Sequence, residues 1–182
     1  MRKLAIVMCL FASPALATGL QIEIAGEGAN GTVTIDLLED LAPKHVEQIT
    51  KIAESGAYNG VVFHRVIDGF MAQTGDVQFG QSSGNTSRAG MGGSDMSDIQ
   101  AEFSSEPFKR GIVGMARSQS PNSANSQFFI MFDDGEFLNG QYTVVGRVTA
   151  GMDIVDSIKL GTGGNGAVVG TPDMMKTVTV TE

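Results

Sequence analysis

The stretch Phe63-His-Arg-Val-Ile-Asp-Gly-Phe-Met-Ala-Gln-Thr-Gly-Asp76 constrains this chain more than any other, because it is two short apolar runs broken at Asp68-Gly69. Asp-Gly between such runs signals a tight turn, so the stretch predicts a β-hairpin. Side chains alternate faces along a strand. Phe63, Arg65 and Ile67 therefore share one face before the turn, and Met71 and Gln73 share one face after it. Phe70, Ala72 and Thr74 take the other. A hairpin of this kind can set a cation, an amide and a thioether around one apolar hollow. An ordinary hairpin with a surface arginine fits equally well, and the rest of the chain has to decide.

The N-terminus reads as an export signal. Arg2-Lys3 supply a positive start, Leu4 to Ala12 an apolar run, and Ala15-Leu16-Ala17 a small-x-small cleavage site. The run has roughly half the length needed to span a bilayer, which argues against a membrane anchor. The sequence thus divides into a cleavable signal peptide, residues 1–17, and one domain, residues 18–182, with a periplasmic location expected, or secretion where there is no outer membrane. Cleavage removes the only cysteine, Cys9, and with it any disulfide or thiol chemistry. It also removes two of the 12 basic residues, leaving 10 against 20 acidic ones. A net charge of −10 excludes nucleic acid and stable association with anionic membranes, since both depend on Lys and Arg neutralising phosphate.

Leu20 to Ile24 and Thr32 to Leu37 alternate apolar and polar residues around Asn30-Gly31, as an antiparallel hairpin does. Pro43 suits the first position of a helix, with Asp40 nearby, although Ala42 is a poor cap. Val46, Ile49, Ile52 and Ala53 form its apolar stripe and Gly56 its stop. Phe79 to Ser97 is rich in Gly and Ser and reads as a long ordered loop. Gly111 to Ala116, Gln127 to Met131 and Thr143 to Val148 are further strands. Met152, Ile154, Val155 and Ile158 fit a short second helix ending near Gly161, and Val178 and Val180 lie in a final strand. Many short strands and two helices indicate an all-β barrel or sandwich.

Several motif matches fail on context. Gly80-Gln-Ser-Ser-Gly84 fits the serine nucleophile elbow but has no helix after it. Gly161-Thr-Gly-Gly-Asn-Gly166 fits a dinucleotide fingerprint but follows a helix outside any βαβ unit, so it reads as a loop. His45 on a helix and His64 on a strand build neither a triad nor a metal site, and His64 reads as a packed structural residue. Asp133, Asp134 and Glu102 read as solvated or turn residues. None of the usual nucleophile, acid–base or metal chemistry is visible.

What remains is Arg65, Met71 and Gln73 on one hairpin, Gln127 and Phe129 on one face of a later strand, and Phe137-Leu138 beyond it. In these residues the chain resembles the cyclophilin-type peptidyl-prolyl cis–trans isomerases, in their bacterial exported branch. Phe63-His-Arg-Val-Ile67 through Gly69-Phe-Met-Ala-Gln73 is similar to the family's main signature. Gly114-Met-Ala116, the Pro121-Asn122 loop, Ser126-Gln-Phe-Phe-Ile130 and Phe137-Leu-Asn-Gly140 follow in the family's order. The likeness spans roughly Leu20 to Val180.

The resemblance implies a closed eight-stranded antiparallel β-barrel with two helices and its site on the outer surface. It implies rotation about X–Pro peptide bonds, assisting the folding of exported proteins, with no cofactor and no metal. Such rotation breaks amide resonance without breaking a bond, against a barrier of roughly 18–20 kcal/mol, so it needs no nucleophile or proton shuttle. In the twisted amide the prolyl nitrogen regains a lone pair, and a fixed cationic donor favours that state over both planar ones. By the family's pattern Arg65 and Gln73 are catalytic, Gln73 through the substrate backbone. Phe70, Met71, Phe129 and Leu138 form the proline pocket, Ala116 and Arg117 offer main-chain contacts, and Gln127, Phe137 and Tyr142 complete the wall. The expected partners are proline-containing peptides and unfolded exported proteins, bound by a monomer. The other reading is a chaperone module that grips proline segments without turnover; the intact Arg65 and Gln73 favour catalysis. Three departures stand out. Arg117 replaces a frequent Asn, the loop Ser118 to Asn125 is one residue longer than in eukaryotic members, and Phe137 and Tyr142 replace a frequent Trp and His. Phe lacks the ring N–H of Trp, so weak cyclosporin binding is expected.

Overall fold

The computed structural model describes residues 18–182; the expected signal peptide lies outside the described residues. Nine strands form one antiparallel sheet: β1 (Gly19–Ala25), β2 (Gly31–Leu37), β3 (Val61–Val62), β4 (Arg65–Ile67), β5 (Met71–Thr74), β6 (Ile112–Met115), β7 (Phe128–Met131), β8 (Val144–Ala150) and β9 (Met174–Thr181). Their order across the sheet is β3-β9-β1-β2-β8-β6-β7-β5-β4. Two helices accompany it, α1 (Pro43–Glu54) and the five-residue α2 (Met152–Asp156), which ends earlier than its apolar spacing suggests.

The sheet is an open, strongly curled half-barrel, which corrects the expected closed barrel of eight strands. The ninth strand arises because the extended run from Val61 to Ile67 is interrupted at Phe63-His64. Val61 and Val62 pair with β9, Arg65 to Ile67 pair with β5, and Phe63-His64 belongs to neither ladder. The two pieces stand as the two edges of the sheet. The cut also interrupts the alternation of faces. Phe63 does not share a face with Arg65 but packs into the main core beside Val66.

Both edges are covered, as exposed edges need to be. At β3 the Val62 N–H donates to Gly80 O at 2.9 Å, and Val61 bridges Gln81. At β4 the Val66 and His64 carbonyls accept from Gly161 and Val168, at 2.9 and 3.0 Å. The glycine-rich segment rejected as a nucleotide site is thus the cover of the β4 edge.

Helix α1 starts at Pro43 without a side-chain cap from Ala42. Its free N–H groups are met by Glu102, whose sequence context suggests a solvated residue. Its carboxylate accepts from Lys44 N at 3.2 Å and His45 N at 3.1 Å, and meets His45 Nδ1 at 2.6 Å. Burial would raise the Glu102 pKa, but the bonds from His45 and Lys44 hold it below its ordinary value. Burial lowers that of His45, against the pull of Glu102.

Alternation sorts the strands' side chains into two apolar clusters. Ala72, Val113, Phe128 and Ile130 join the main core, with the stripe of α1 packed into it. Met71, Ile112, Phe129 and Met131 face the other way, joined by Phe108, Leu138 and Val144.

Candidate active site

The hairpin β4–β5 pairs Arg65 with Gln73 and Ile67 with Met71, so all four project from the face that carries the second cluster. The turn is closed by Phe70 N donating to Ile67 O at 3.0 Å, with Gly69 at φ 64° where a side chain would be strained. Beside β5 runs β7, with Gln73 opposite Phe129. Gly114 of β6 lies opposite Phe129 in turn, and a Cβ there would stand 2.6 Å from the rings of both Phe108 and Phe129. The missing side chain lets those rings stack 5.8 Å apart, Phe108 lying buried behind Phe129, which faces a hollow.

That hollow has a volume of about 430 Å³. Arg65, Phe70, Met71, Gln73, Ala116, Arg117, Phe129, Phe137, Leu138 and Tyr142 line it, so every site residue expected from the sequence except Gln127 meets there. Phe70, assigned by alternation to the opposite face, reaches the hollow because it lies in the turn before β5 begins, and its ring packs 5.4 Å from that of Phe137. Phe137 is 64 % exposed, an apolar lip at the mouth. Tyr142 meets Phe129 edge-on and lies under the Arg117 guanidinium, 4.4 Å from its ring centroid. Arg117 is further held by Gln141 O, which accepts from Nη2 at 3.0 Å, and by Ser118 O, which accepts from Nη1 at 2.9 Å. Ala116 spends its N–H on Gln127 O at 2.9 Å, so its carbonyl is what it can offer a ligand.

Gln127 stands one step behind. Arg65 Nη1 donates to Gln73 Oε1 at 3.1 Å, Gln73 Nε2 to Gln127 Oε1 at 2.9 Å, and Gln127 Nε2 to Gly92 O at 2.8 Å. The relay ends on the long loop, which buried Asp76 organises. Its carboxylate accepts from Gln78, Phe79, Gly90 and Gly92 N–H groups at 2.7–3.1 Å. A polar groove of about 410 Å³, lined by Gln127 and residues 90–94, adjoins the hollow through Gln73, Ala116 and Arg117.

His64 is packed, as expected, against Gly90. Burial pushes its imidazole from the ordinary 6.5 to about 4, against the opposing pull of Asp76, so it is neutral near pH 7. Burial also lowers the Arg65 pKa, but a guanidinium remains charged throughout the physiological range. Among the described residues no group of three or more His, Cys, Asp or Glu is placed to hold a metal ion.

Two residues of the site were not anticipated. Gln141 lines the hollow. Asn165, in the segment covering β4, accepts from Arg65 twice, its carbonyl from Nε at 3.0 Å and its Oδ1 from Nη2 at 3.1 Å. Gln141 lies just past the Phe137-Leu-Asn-Gly140 block, so proximity was a usable signal. Asn165 lies 100 residues from Arg65 and carried none.

A single-charge donor fixed over an apolar hollow, with amides leading away, fits recognition of an uncharged, partly apolar group. A family model described as "Cyclophilin type peptidyl-prolyl cis-trans isomerase/CLD" matches residues 20–180. A protein of Brucella suis described as a probable peptidyl-prolyl cis-trans isomerase is 62% identical over 153 residues, covering 83% of this chain and 78% of its own. A solved cyclophilin of Hirschia baltica superposes with a TM-score of 0.70 at 27% identity, covering 88% of this chain and 73% of that one. A cyclophilin-type isomerase of Cryptosporidium parvum has the same fold, with a TM-score of 0.76 at 23% identity over 92% and 99% of the two chains.

Proposed function

This chain belongs to the cyclophilin-type peptidyl-prolyl cis–trans isomerases, and from that premise we propose that Arg65 is the group that makes its rotation of X–Pro bonds fast. The observation that carries this reading is the placement of Arg65 over an apolar hollow, bonded to neutral acceptors and to no carboxylate. The proline ring enters the hollow between Met71, Phe129 and Leu138, beneath Phe70 and Phe137. Its nitrogen then lies beside the guanidinium. As the amide twists, the lone pair appears on that nitrogen, and Arg65 stabilises the twisted state more than either planar one. The surrounding apolar wall lowers the local dielectric and strengthens the interaction.

Gln73 contributes in two ways. It bonds Arg65, and it stands at the junction of hollow and polar groove, where it meets the substrate backbone together with the Ala116 carbonyl. Gln127 holds Gln73 from behind. Arg117 covers Tyr142 and closes the wall between the two cavities. Arg65 and Gln73, both present and bonded to each other, favour turnover over binding alone.

The clients are unfolded exported proteins with exposed X–Pro bonds, and the site of action is the periplasm; the N-terminal signal pattern supports both. A monomer carries the whole cleft on one chain. Phe137 at the lip has no ring N–H, which supports weak cyclosporin binding.

The test is the exchange of an X–Pro peptide followed by NMR or a coupled protease assay. Wild-type protein is expected to accelerate it, with cyclosporin inhibiting only well above nanomolar concentration. No acceleration contradicts the reading of the site, and nanomolar inhibition contradicts the role given to Phe137.

A further inference from the structure

The segment Gly161-Thr-Gly-Gly-Asn-Gly-Ala-Val-Val-Gly170 has little side-chain chemistry to offer, and Asn165 is half of what it has, Thr162 being the other polar residue. The segment is nonetheless fixed in place. Gly161 N and Val168 N donate to β4 carbonyls, Ala167 bridges Arg65, and a Cβ on Gly166 would run into the Ile67 side chain. Asn165 sits at its crest with φ 55° and ψ 30°, and no other described non-glycine residue has a positive φ. Asn tolerates this left-handed conformation better than most residues, yet Gly is the usual choice where it is needed, and here glycines stand on both sides. A side chain at such a position calls for a reason.

The reason lies in what the conformation presents. Both acceptors of Asn165 turn toward Arg65, the main-chain oxygen to Nε and the amide oxygen to Nη2. Gln73 and Met71 take Nη1 from the opposite side, at 3.1 and 3.7 Å. All three guanidinium nitrogens are therefore engaged, so the plane of the group is set before substrate arrives. Nη2 still has a donor to spare, since an Arg carries five N–H groups.

Every one of those partners is neutral. Of the five described arginines, Arg110 and Arg147 pair with Asp156 and Asp36, while Arg65, like Arg88 and Arg117, forms no ion pair with a described carboxylate. A carboxylate would hold the plane more tightly, but it would also offset the positive potential that the prolyl nitrogen is to meet. Neutral acceptors supply orientation and leave the charge exposed to the hollow.

We propose that Asn165 is a positioning residue, a neutral two-point clamp that orients Arg65 for catalysis without quenching its charge. This rests on the role assigned to Arg65 above. Asn165→Gly keeps the main-chain acceptor and the backbone conformation and removes only the amide oxygen. Its kcat is expected to fall roughly tenfold, the scale of a misoriented catalytic group, while KM stays within about twofold and the thermal midpoint is unchanged. Asn165→Asp keeps size and acceptor but adds charge, so it is expected to lose at least as much kcat as Asn165→Gly. In an Arg65→Ala background, Asn165→Gly is expected to change nothing further.

Wild-type kcat in Asn165→Gly, an equal fall in both backgrounds, or full activity in Asn165→Asp would each overturn the clamp. If Arg65→Ala itself retained wild-type rate, the assignment of Arg65 would fall, and the clamp with it. A slow Arg65→Ala beside a fast Asn165→Gly would remove the clamp alone.

Discussion

The two faces of β5, β6 and β7 differ in kind although alternate residues of the same strands carry them. Ala72, Val113, Phe128 and Ile130 point inward to a sealed apolar core. Met71, Gln73, Phe129 and Met131 point outward, where an apolar floor is crossed by the polar relay from Arg65 through Gln73 and Gln127 to the loop. The inner face stabilises through area buried, which any well-packed set of similar volume can provide. The outer face works through the position of a few polar atoms, which no substitute of similar volume provides. Stability and activity should therefore come apart along these strands.

The largest effect is expected from the inner face. Phe128 is fully buried and meets Tyr58 edge-on at 5.7 Å. Phe128→Ala should lower the unfolding free energy by about 3–5 kcal/mol, measured by urea denaturation, while the folded fraction keeps near-normal activity per molecule. Wild-type stability in that variant, or activity lost from protein that is still folded, would dissolve the distinction between the faces.

A smaller effect is expected from acid. The unfolded His64 takes its proton near 6.5 and the folded one near 4, so between those values the unfolded chain binds more protons. Its stabilising contribution is present above 6.5 and is lost as pH falls toward 4, by about 3 kcal/mol in full. Over pH 6–8 the rate should stay nearly flat, because no group of the proposed mechanism changes charge there. A His64→Gln variant whose stability kept the same acid dependence would refute the assignment, and a bell-shaped rate profile would point to acid–base chemistry instead.

The difference between the faces also explains what could be read in the sequence. Strands, helices and core followed from hydrophobic periodicity, and the residues around the hollow followed from signature blocks that keep their spacing. The errors arose where side chains meet across long sequence distances or where a strand breaks. The cut at Phe63-His64 was hidden because both residues continue an apolar, strand-like run, while the closed barrel followed from the family resemblance and not from the pattern of residues. Glu102 looked solvated because its partners, Lys44 and His45, are 58 and 57 residues away. Asn165 stands among glycines in a segment whose sequence shows only a loop. Its importance lies in an unusual backbone angle and two bonds to Arg65, neither of which leaves a periodic trace.

Arg65, on the outer face, is expected to accelerate rotation by its charge and position while contributing little to the fold. The direct measurement is kcat/KM for X–Pro exchange by Arg65→Ala, taken together with its thermal midpoint. Arg65→Ala should lose about a hundredfold or more in kcat/KM, with its midpoint close to that of the wild type. A rate near that of the wild type, or a loss that merely tracks unfolding, would contradict this role for Arg65.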